Sequence, residues 1–339
     1  MVDIRICQND DIETVMAFIN LHWRKDHVLA TSQKLMDWQY KQAGGLYNFV
    51  LAYEGNDLLA VLGFIPVDRY DPALRDRAAV WLALWKLRSD VKIAGLGLRM
   101  LRFLERMHSI KTIAVNGINA AHPPMYQALG YRTGVLRHSY LFNPNMQSRL
   151  LAIVDPAVAV ALPQLGQAVM QEMDQQTLQQ LPWPPGNQNR TPAYFAERYL
   201  RHPFYRYQVH LFSFDSQRAL LATRVVRHGN AAALRIVDFT GDVNVLAQIG
   251  NSLEDLMQQH DAEYVDFLNS GIPQGLLAQA GFAELDFDGP LIIPNRFEPL
   301  ERKNHRVFFA IKTSDTSEPL IFRADGDQDR PNIPSDEND

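Results

Sequence analysis

Apolar positions along this chain repeat with two different periods, and the switches between them mark its elements. Residues 3–7 (DIRIC) alternate as a short strand, and Asp10 and Asp11 can cap a helix over 12–23, where Ile12, Val15, Met16 and Ile19 share one face. A second helical segment, 32–42, precedes two apolar runs, 49–53 and 58–67, whose EGND connector predicts an antiparallel hairpin. A third strand spans 80–88 (VWLALWKLR). A glycine-bearing loop leads from it into a helix over 98–107, with Leu98, Leu101, Phe103, Leu104 and Met107 mostly on one side. A strand at 112–118, a short helix at 123–130 and an extended stretch at 131–142 (YRTGVLRHSYLF) follow.

The character changes over 151–190, where a Gln-rich run and then PWPPGNQNR read as a linker. Beyond it the order restarts, with a helix at 191–200, strands at 207–214, 219–228 and 232–240, a helix at 244–260, a strand at 262–268 and a last extended piece at 282–287. VNGINAAH…LGY is echoed by VDFLNSGI…AGF, which points to an internal duplication. The segment 313–339 is acidic and proline-bearing, the composition of a solvated tail.

At 339 residues, with 47% hydrophobic and 21% charged residues, the chain can bury two cores. Its formal charge of −5 recommends neither a nucleic-acid nor a membrane partner. Cys7 is the one cysteine, so no intramolecular disulfide forms, and the scattered histidines offer no zinc spacing; no metal is expected. The acidic N-terminus lacks a signal-peptide pattern and no 18-residue apolar run occurs, so the expected location is cytoplasmic.

Candidate chemistry lies between the third strand and the short helix. In Lys92-Ile93-Ala94-Gly95-Leu96-Gly97-Leu98 two glycines stand at a helix entrance, where close backbone approach and free amides favour a pyrophosphate. A dinucleotide-binding reading is disfavoured by the antiparallel neighbours and by Met100 at the third glycine position. Further on stands Asn119-x-x-His122-x-x-Met125-Tyr126-x-x-Leu129-Gly130-Tyr131.

Together these segments resemble the GCN5-related N-acetyltransferase (GNAT) superfamily, whose loop reads Gln/Arg-x-x-Gly-x-Gly/Ala and whose later segment reads Asn-x-x-Ala-x-x-Leu-Tyr-x-x-x-Gly-Phe. The resemblance is specific over 80–131 and topological over the rest of 3–142. It departs from the pattern at Lys92 and at His122. It implies an α+β fold of two tandem GNAT-like domains, each a mixed, mainly antiparallel sheet flanked by helices. The first, 1–150, would bind acyl-CoA, acetyl or short hydroxyacyl, through Leu87 and 92–98, with Asn119 on the pantetheine and Tyr126 as general acid. The second, 191–312, lacks the loop and would shape the acceptor site.

No carboxylate lies on the strand 80–88, whose alternation places Trp81, Ala83, Trp85 and Leu87 on one face, so His122 and His138 are the candidate bases. For Trp38, Tyr40, Trp81 and Trp85, core packing competes with acceptor stacking. The tandem arrangement resembles enzymes that acylate a nucleotide-linked amino sugar of surface-polysaccharide pathways. A UDP- or dTDP-linked amino-deoxysugar is the expected acceptor, lined by His22, Trp23, Tyr40, Trp85 and Asn269, with Arg24, Lys86 or Arg137 near its phosphates. Peptidoglycan-type aminoacyl transfer and a non-catalytic binding role are the alternatives.

Overall fold

Each half of the chain builds one large sheet, and each sheet contains a strand from the other half. The computed structural model describes every residue except 43, 147, 156–159, 185–188, 317 and 333–339, together with the side chain of residue 108. The first half runs β1 (Val2–Gln8), α1 (Ile12–Phe18), α2 (Val28–Thr31), α3 (Gln33–Tyr40), β2 (Leu46–Glu54), β3 (Asp57–Pro66), β4 (Ala79–Leu87), α4 (Leu96–His108), β5 (Thr112–Ile118), α5 (Pro123–Ala128), β6 (Arg132–Val135) and β7 (Arg137–Phe142). The second half begins with β8 (Val169–Glu172), α6 (Gln175–Gln180), α7 (Pro192–Phe195), β9 (Gln208–Phe214), β10 (Gln217–His228), β11 (Ala231–Gly241) and α8 (Gly250–Gln259). It continues with β12 (Ala262–Ser270), α9 (Gln274–Gln279), β13 (Ala283–Glu284), the β14 (Arg296–Phe297) and β15 (Leu300–Glu301) ribbon, β16 (Phe308–Thr313) and β17 (Ile321–Phe322).

The sheet orders are β1-β2-β3-β4-β5-β16-β6 and β13-β7-β12-β11-β10-β9-β8. Both are mixed and mainly antiparallel, with β4/β5 and β11/β12 as the equivalent parallel pairs. Helices flank them, as the sequence implied. The stretch 131–142 does not remain in one sheet: it divides at Leu136, β6 staying at the first sheet's edge and β7 crossing to pair with β12. In return β16 fills the place between β5 and β6, and the hydroxyls of Thr112 and Thr313 meet at 2.6 Å across 201 residues of sequence.

The duplication is visible at the helix starts as well, since Ser32 Oγ accepts the Leu35 amide at 3.2 Å and Thr191 Oγ1 the Tyr194 amide at 3.1 Å. One buried cluster spans both halves, from Phe18, Tyr40 and Phe49 to Phe195, Tyr199 and Leu220, while α4 covers the other face of the first sheet through Leu96, Met100 and Leu104. Around α8, the expected helix 244–260 is a 3-10 turn over Val243–Gln248 followed by the α-helix, and it changes at Gly250, where a Cβ would lie 2.0 Å from the Gln164 carbonyl.

Two regions depart from their expected character. The block 151–190 is not simply a linker: β8 pairs with β9, and α6 buries Leu178. The stretch from 313 to 332 is not a solvated tail either. Ile321 and Phe322 are buried, β17 pairs with β12 at Asn269 and Ser270, and Asp325 and Asp329 are almost inaccessible. Arg190 stands 2.6 Å from Asp238 and 2.5 Å from Asp325, and Arg224 stands 2.9 Å from Asp329, so two acids that composition assigns to solvent, Asp325 and Asp329, anchor their segment in the interior. Residues 333–339 of the expected tail lie outside the described residues. Among the described residues, no helix is long and apolar enough to cross a membrane.

Candidate functional site

The site begins where two parallel strands part. β4 and β5 pair only from Ala79↔Thr112 to Leu82↔Val115, and beyond that point they separate around a cleft of about 910 Å³. Irregularities on both strands accompany the opening. Against β3, two steps from Leu62 to Phe64 oppose three from Trp85 back to Leu82, so β4 carries a bulge at Ala83 and Leu84. That bulge also corrects the expected alternation: Trp81 and Leu84 face the inter-half core, while Leu82, Trp85 and Leu87 pack toward α4. On β5, Phe308 and Phe309 of β16 face Ile118 and Asn116, leaving Gly117 bulged at φ +75°.

α4 enters the wall of this cleft by its N-terminus. Gly95 holds φ +70°, with no atom within 4 Å of where a Cβ would stand, whereas a Cβ on Gly97 would lie 3.1 Å from the Trp85 ring. Amides in the first helical turn have no carbonyl four residues behind them, so this end presents donors and the positive end of the helix dipole. Lys92, Ala94 and Gly95 are exposed there, and Ile93 is partly buried with its carbonyl accepting from the Leu96 amide. These residues fit a pyrophosphate: open space, free donors and a nearby cation.

At the other wall, Asn119 Oδ1 accepts the Ala121 amide and turns the chain into α5, whose His122 carbonyl receives the Met125 and Tyr126 amides. This directs Tyr126 inward. Its ring packs edge-on against Tyr131 at 5.3 Å, and burial pushes its hydroxyl pKa up to about 12, so the proton stays bound at neutral pH. No described residue hydrogen-bonds that hydroxyl. Asn116 Oδ1 and Trp85 Nε1 are buried at the same cleft without a partner among the described residues, while Asn116 Nδ2 donates to the Phe322 carbonyl at 3.0 Å.

No family model matches the sequence, and no curated protein matches it either. Among solved structures, the chain is similar to a GCN5-related N-acetyltransferase from Anabaena variabilis, 11% identical, with 93% of this chain and 73% of that one covered at a TM-score of 0.55. It is also similar to a conserved protein of unknown function from Enterococcus faecalis, 7% identical, covering 92% of this chain and 72% of that one at a TM-score of 0.53. The fold is GNAT-like. At these identities the likeness is one of fold, and the chemistry rests on the residues themselves.

Within this GNAT-like fold the cleft gathers Trp23, Trp85, Leu87, Gly97, Leu98, Asn119, His122 and Tyr126, with Leu96 buried behind them. Other expected residues stand elsewhere. Tyr40 is fully buried against Phe49 and Gln39, which is core packing and not acceptor stacking. Asn269 is buried on β12 under β17, and Arg137 is turned toward Asn269 and the Ile272 carbonyl. His22 leans against Phe18 outside the cleft lining, the ring centroids 4.8 Å apart and the planes tilted. The strand exchange carries His138 into the second sheet, fully buried 3.4 Å from Asp266, so of the two candidate bases only His122 remains at the cleft.

Several cleft residues were not anticipated. Asn116 and Gly117 sit in the Asn-Gly pair of TIAVNGI, and an Asn-Gly inside a strand is a bulge signal. Asp327, Gln328 and Arg330 come from the segment read as a tail, and the Gln328 side chain covers the bulged Gly117, where a Cβ would lie 2.1 Å from it. Arg296, Arg306 and Phe308 complete the second half's contribution.

The equivalent parting of β11 and β12 is closed. Phe322 fills it, stacked on Phe267 at 5.5 Å and edge-on to Phe239 at 6.1 Å, while the Ala324 amide donates to the Val237 carbonyl at 3.0 Å. Arg190 lies over the outer face of Phe322 at 4.9 Å.

Proposed function

We propose that this chain is an acyl-CoA-dependent N-acyltransferase with one active cleft, in the first half. The observation that carries this reading is the parted β4/β5 cleft, bordered both by the free N-terminus of α4 and by the unpaired, protonated hydroxyl of Tyr126. The amides of Gly95, Gly97 and Leu98 would hold the donor's pyrophosphate, and Asn116 and Asn119 would offer hydrogen bonds to its pantetheine arm.

Transfer needs a neutral attacking amine, a polarised thioester carbonyl and a protonated leaving sulfur. The bulge at Ala83–Leu84 frees main-chain N–H from the sheet ladder beside the reacting carbonyl. Tyr126 would deliver its proton to the departing sulfur. The same burial that raises the tyrosine pKa also destabilises a thiolate released beside it, which keeps the two matched. His122 is exposed at the cleft mouth and is available to take the proton of the attacking ammonium.

For the acceptor, we propose an amino sugar linked to UDP or dTDP, entering from the side walled by Arg296, Arg306 and Asp327 of the second half. The test combines calorimetry of CoA binding with a thiol-release assay on acetyl-CoA, using amino sugars with and without the nucleotide. One CoA per chain, with release dependent on the nucleotide-linked amine, is expected. Absence of CoA binding, or release only with peptide or simple alkyl amines, would overturn the donor or the acceptor part respectively.

A further inference from the structure

Past Gly117 and Ile118 the cleft continues into a second, polar pocket of about 330 Å³, reached between Arg296, Arg306 and Gln328. Its lining holds seven arginines against four carboxylates, in a chain whose formal net charge is −5. Arg224 and Arg235 are buried, and Arg323 beside them is half-buried. Arg224 and Arg323 share Asp329 at 2.9 and 3.2 Å, and Arg235 sits on Asp266 through two hydrogen bonds of 3.0 Å. Three cations therefore face two carboxylates.

A cation in excess of its carboxylates at the floor of a poorly hydrated pocket favours an incoming anion. The remaining acids do not supply it. Asp327 is taken by Arg330 at 3.1 Å and Glu301 by Arg296 and His305; Glu298 keeps its charge while accepting from the Tyr205 hydroxyl at 2.6 Å and the Asn332 amide at 2.8 Å, and among the described residues it forms no ion pair with Arg224, Arg235 or Arg323. Asp288, outside the lining, pairs with Arg306. Arg323 makes its one ion pair through Nε, and among the described residues no hydrogen bond takes up its two terminal nitrogens, which are open to the pocket's solvent. Those nitrogens form the fork that suits a phosphoryl group.

We propose that this pocket is an oxyanion site for a phosphoryl group of the acceptor, distinct from the place at α4 where the donor's pyrophosphate would sit. Gly97 and Leu98 line the acyl cleft but not this pocket, so the two anion positions are separate. The assignment rests on the acyltransferase reading only for the identity of the ligand as acceptor; the arginine site itself is independent of it.

The test is calorimetry on the full chain at fixed ionic strength, with inorganic pyrophosphate, UDP and succinate, each with and without saturating CoA. Pyrophosphate and UDP should bind saturably in the presence of CoA, and succinate at least tenfold more weakly. Arg323→Gln should weaken pyrophosphate at least tenfold. The exposed-rim variant Arg296→Ala, which leaves the buried pairs intact, should weaken it several-fold at unchanged thermal midpoint, and Arg323→Gln, outside the acyl-cleft lining, should leave CoA affinity unaltered. The proposal is overturned by a lack of saturable pyrophosphate binding, by unchanged affinity in both variants, by competition between pyrophosphate and CoA, or by succinate binding equally well. Binding that appears only after residues 333–339 are removed would assign the arginines to the chain's own acidic end and likewise overturn it. Pyrophosphate binding without CoA binding would overturn the acyltransferase reading and leave the oxyanion site standing.

Discussion

Replacing Tyr126 with phenylalanine separates chemistry from packing at this cleft. The ring is 4% exposed and lies edge-on to Tyr131, and Phe keeps both the burial and that contact. Because no described group hydrogen-bonds the hydroxyl, its removal leaves no buried partner stranded, and the stability change should stay within about 0.5 kcal/mol. A positioned general acid is worth roughly 10²–10⁴ in rate, so kcat should fall at least about 100-fold, which corresponds to roughly 2.7 kcal/mol of transition-state stabilisation. CoA affinity should be unchanged. With the hydroxyl pKa at about 12, the wild-type rate should also show no alkaline loss attributable to this residue below pH 10. Urea unfolding, calorimetry with CoA and a pH-resolved thiol-release assay give the three readings. A Tyr126→Phe variant with wild-type kcat would refute the acid role. A loss of several kcal/mol in stability would show that the hydroxyl serves the core instead.

Three further outcomes follow from the geometry. Gly95→Asn keeps a residue type that tolerates φ +70° but puts a side chain into the open space above the α4 amides, so CoA affinity should drop at least tenfold at nearly unchanged melting temperature, read by calorimetry and thermal shift. Phe322→Ala empties the closed gap in the second sheet and should cost about 3–5 kcal/mol in urea unfolding, with CoA stoichiometry still at one because the chain after β11 has no Gly-x-Gly loop and Asp242 already caps the Asn244 amide of the turn that follows. Burial opposes the charge on Asp329, but Arg224 and Arg323 outweigh it and hold the carboxyl well below the usual range. Its stabilisation is therefore full above the unfolded pKa of about 3.9 and is lost as pH falls below it. Asp329→Asn should cost about 3–5 kcal/mol at pH 7 and flatten the acid limb of the stability profile.

Local periodicity made most of the elements legible. β1 to β5, α4, α5 and their counterparts in the second half follow from alternation, caps and turn residues that act within a few positions. The path of 131–142 was not legible, because YRTGVLRHSYLF reads as continuous strand and nothing in it marks Leu136 as the place where pairing changes sheets. The two inner strands β7 and β16 are assigned by partners far away in sequence, which no local pattern encodes. Much of the site was legible because the loop and Asn119-to-Tyr131 segments are contiguous. The face of Trp85 was misread because a bulge shifts the alternation by one residue, and Asp327, Gln328 and Arg330 were hidden because acids that are ion-paired indoors have the same composition as acids in solvent.

The exchanged strands also set a timetable for biosynthesis. A ribosome adds about 5–20 residues per second, so the 201 residues separating Thr112 from Thr313 take roughly 10–40 s to appear. Throughout that interval β5 lacks the neighbour on its outer edge and β6 lacks the one strand it pairs with, so the hydrogen-bonding edges of both stay bare. The nascent first half is thus a template for any extended segment that reaches it, and chaperone occupancy on β5 should persist until residue 313 clears the exit tunnel. Cutting the gene near residue 150 would make that transient state permanent: one fragment would retain those bare edges, and the other would lack β7, which sits inside its own sheet.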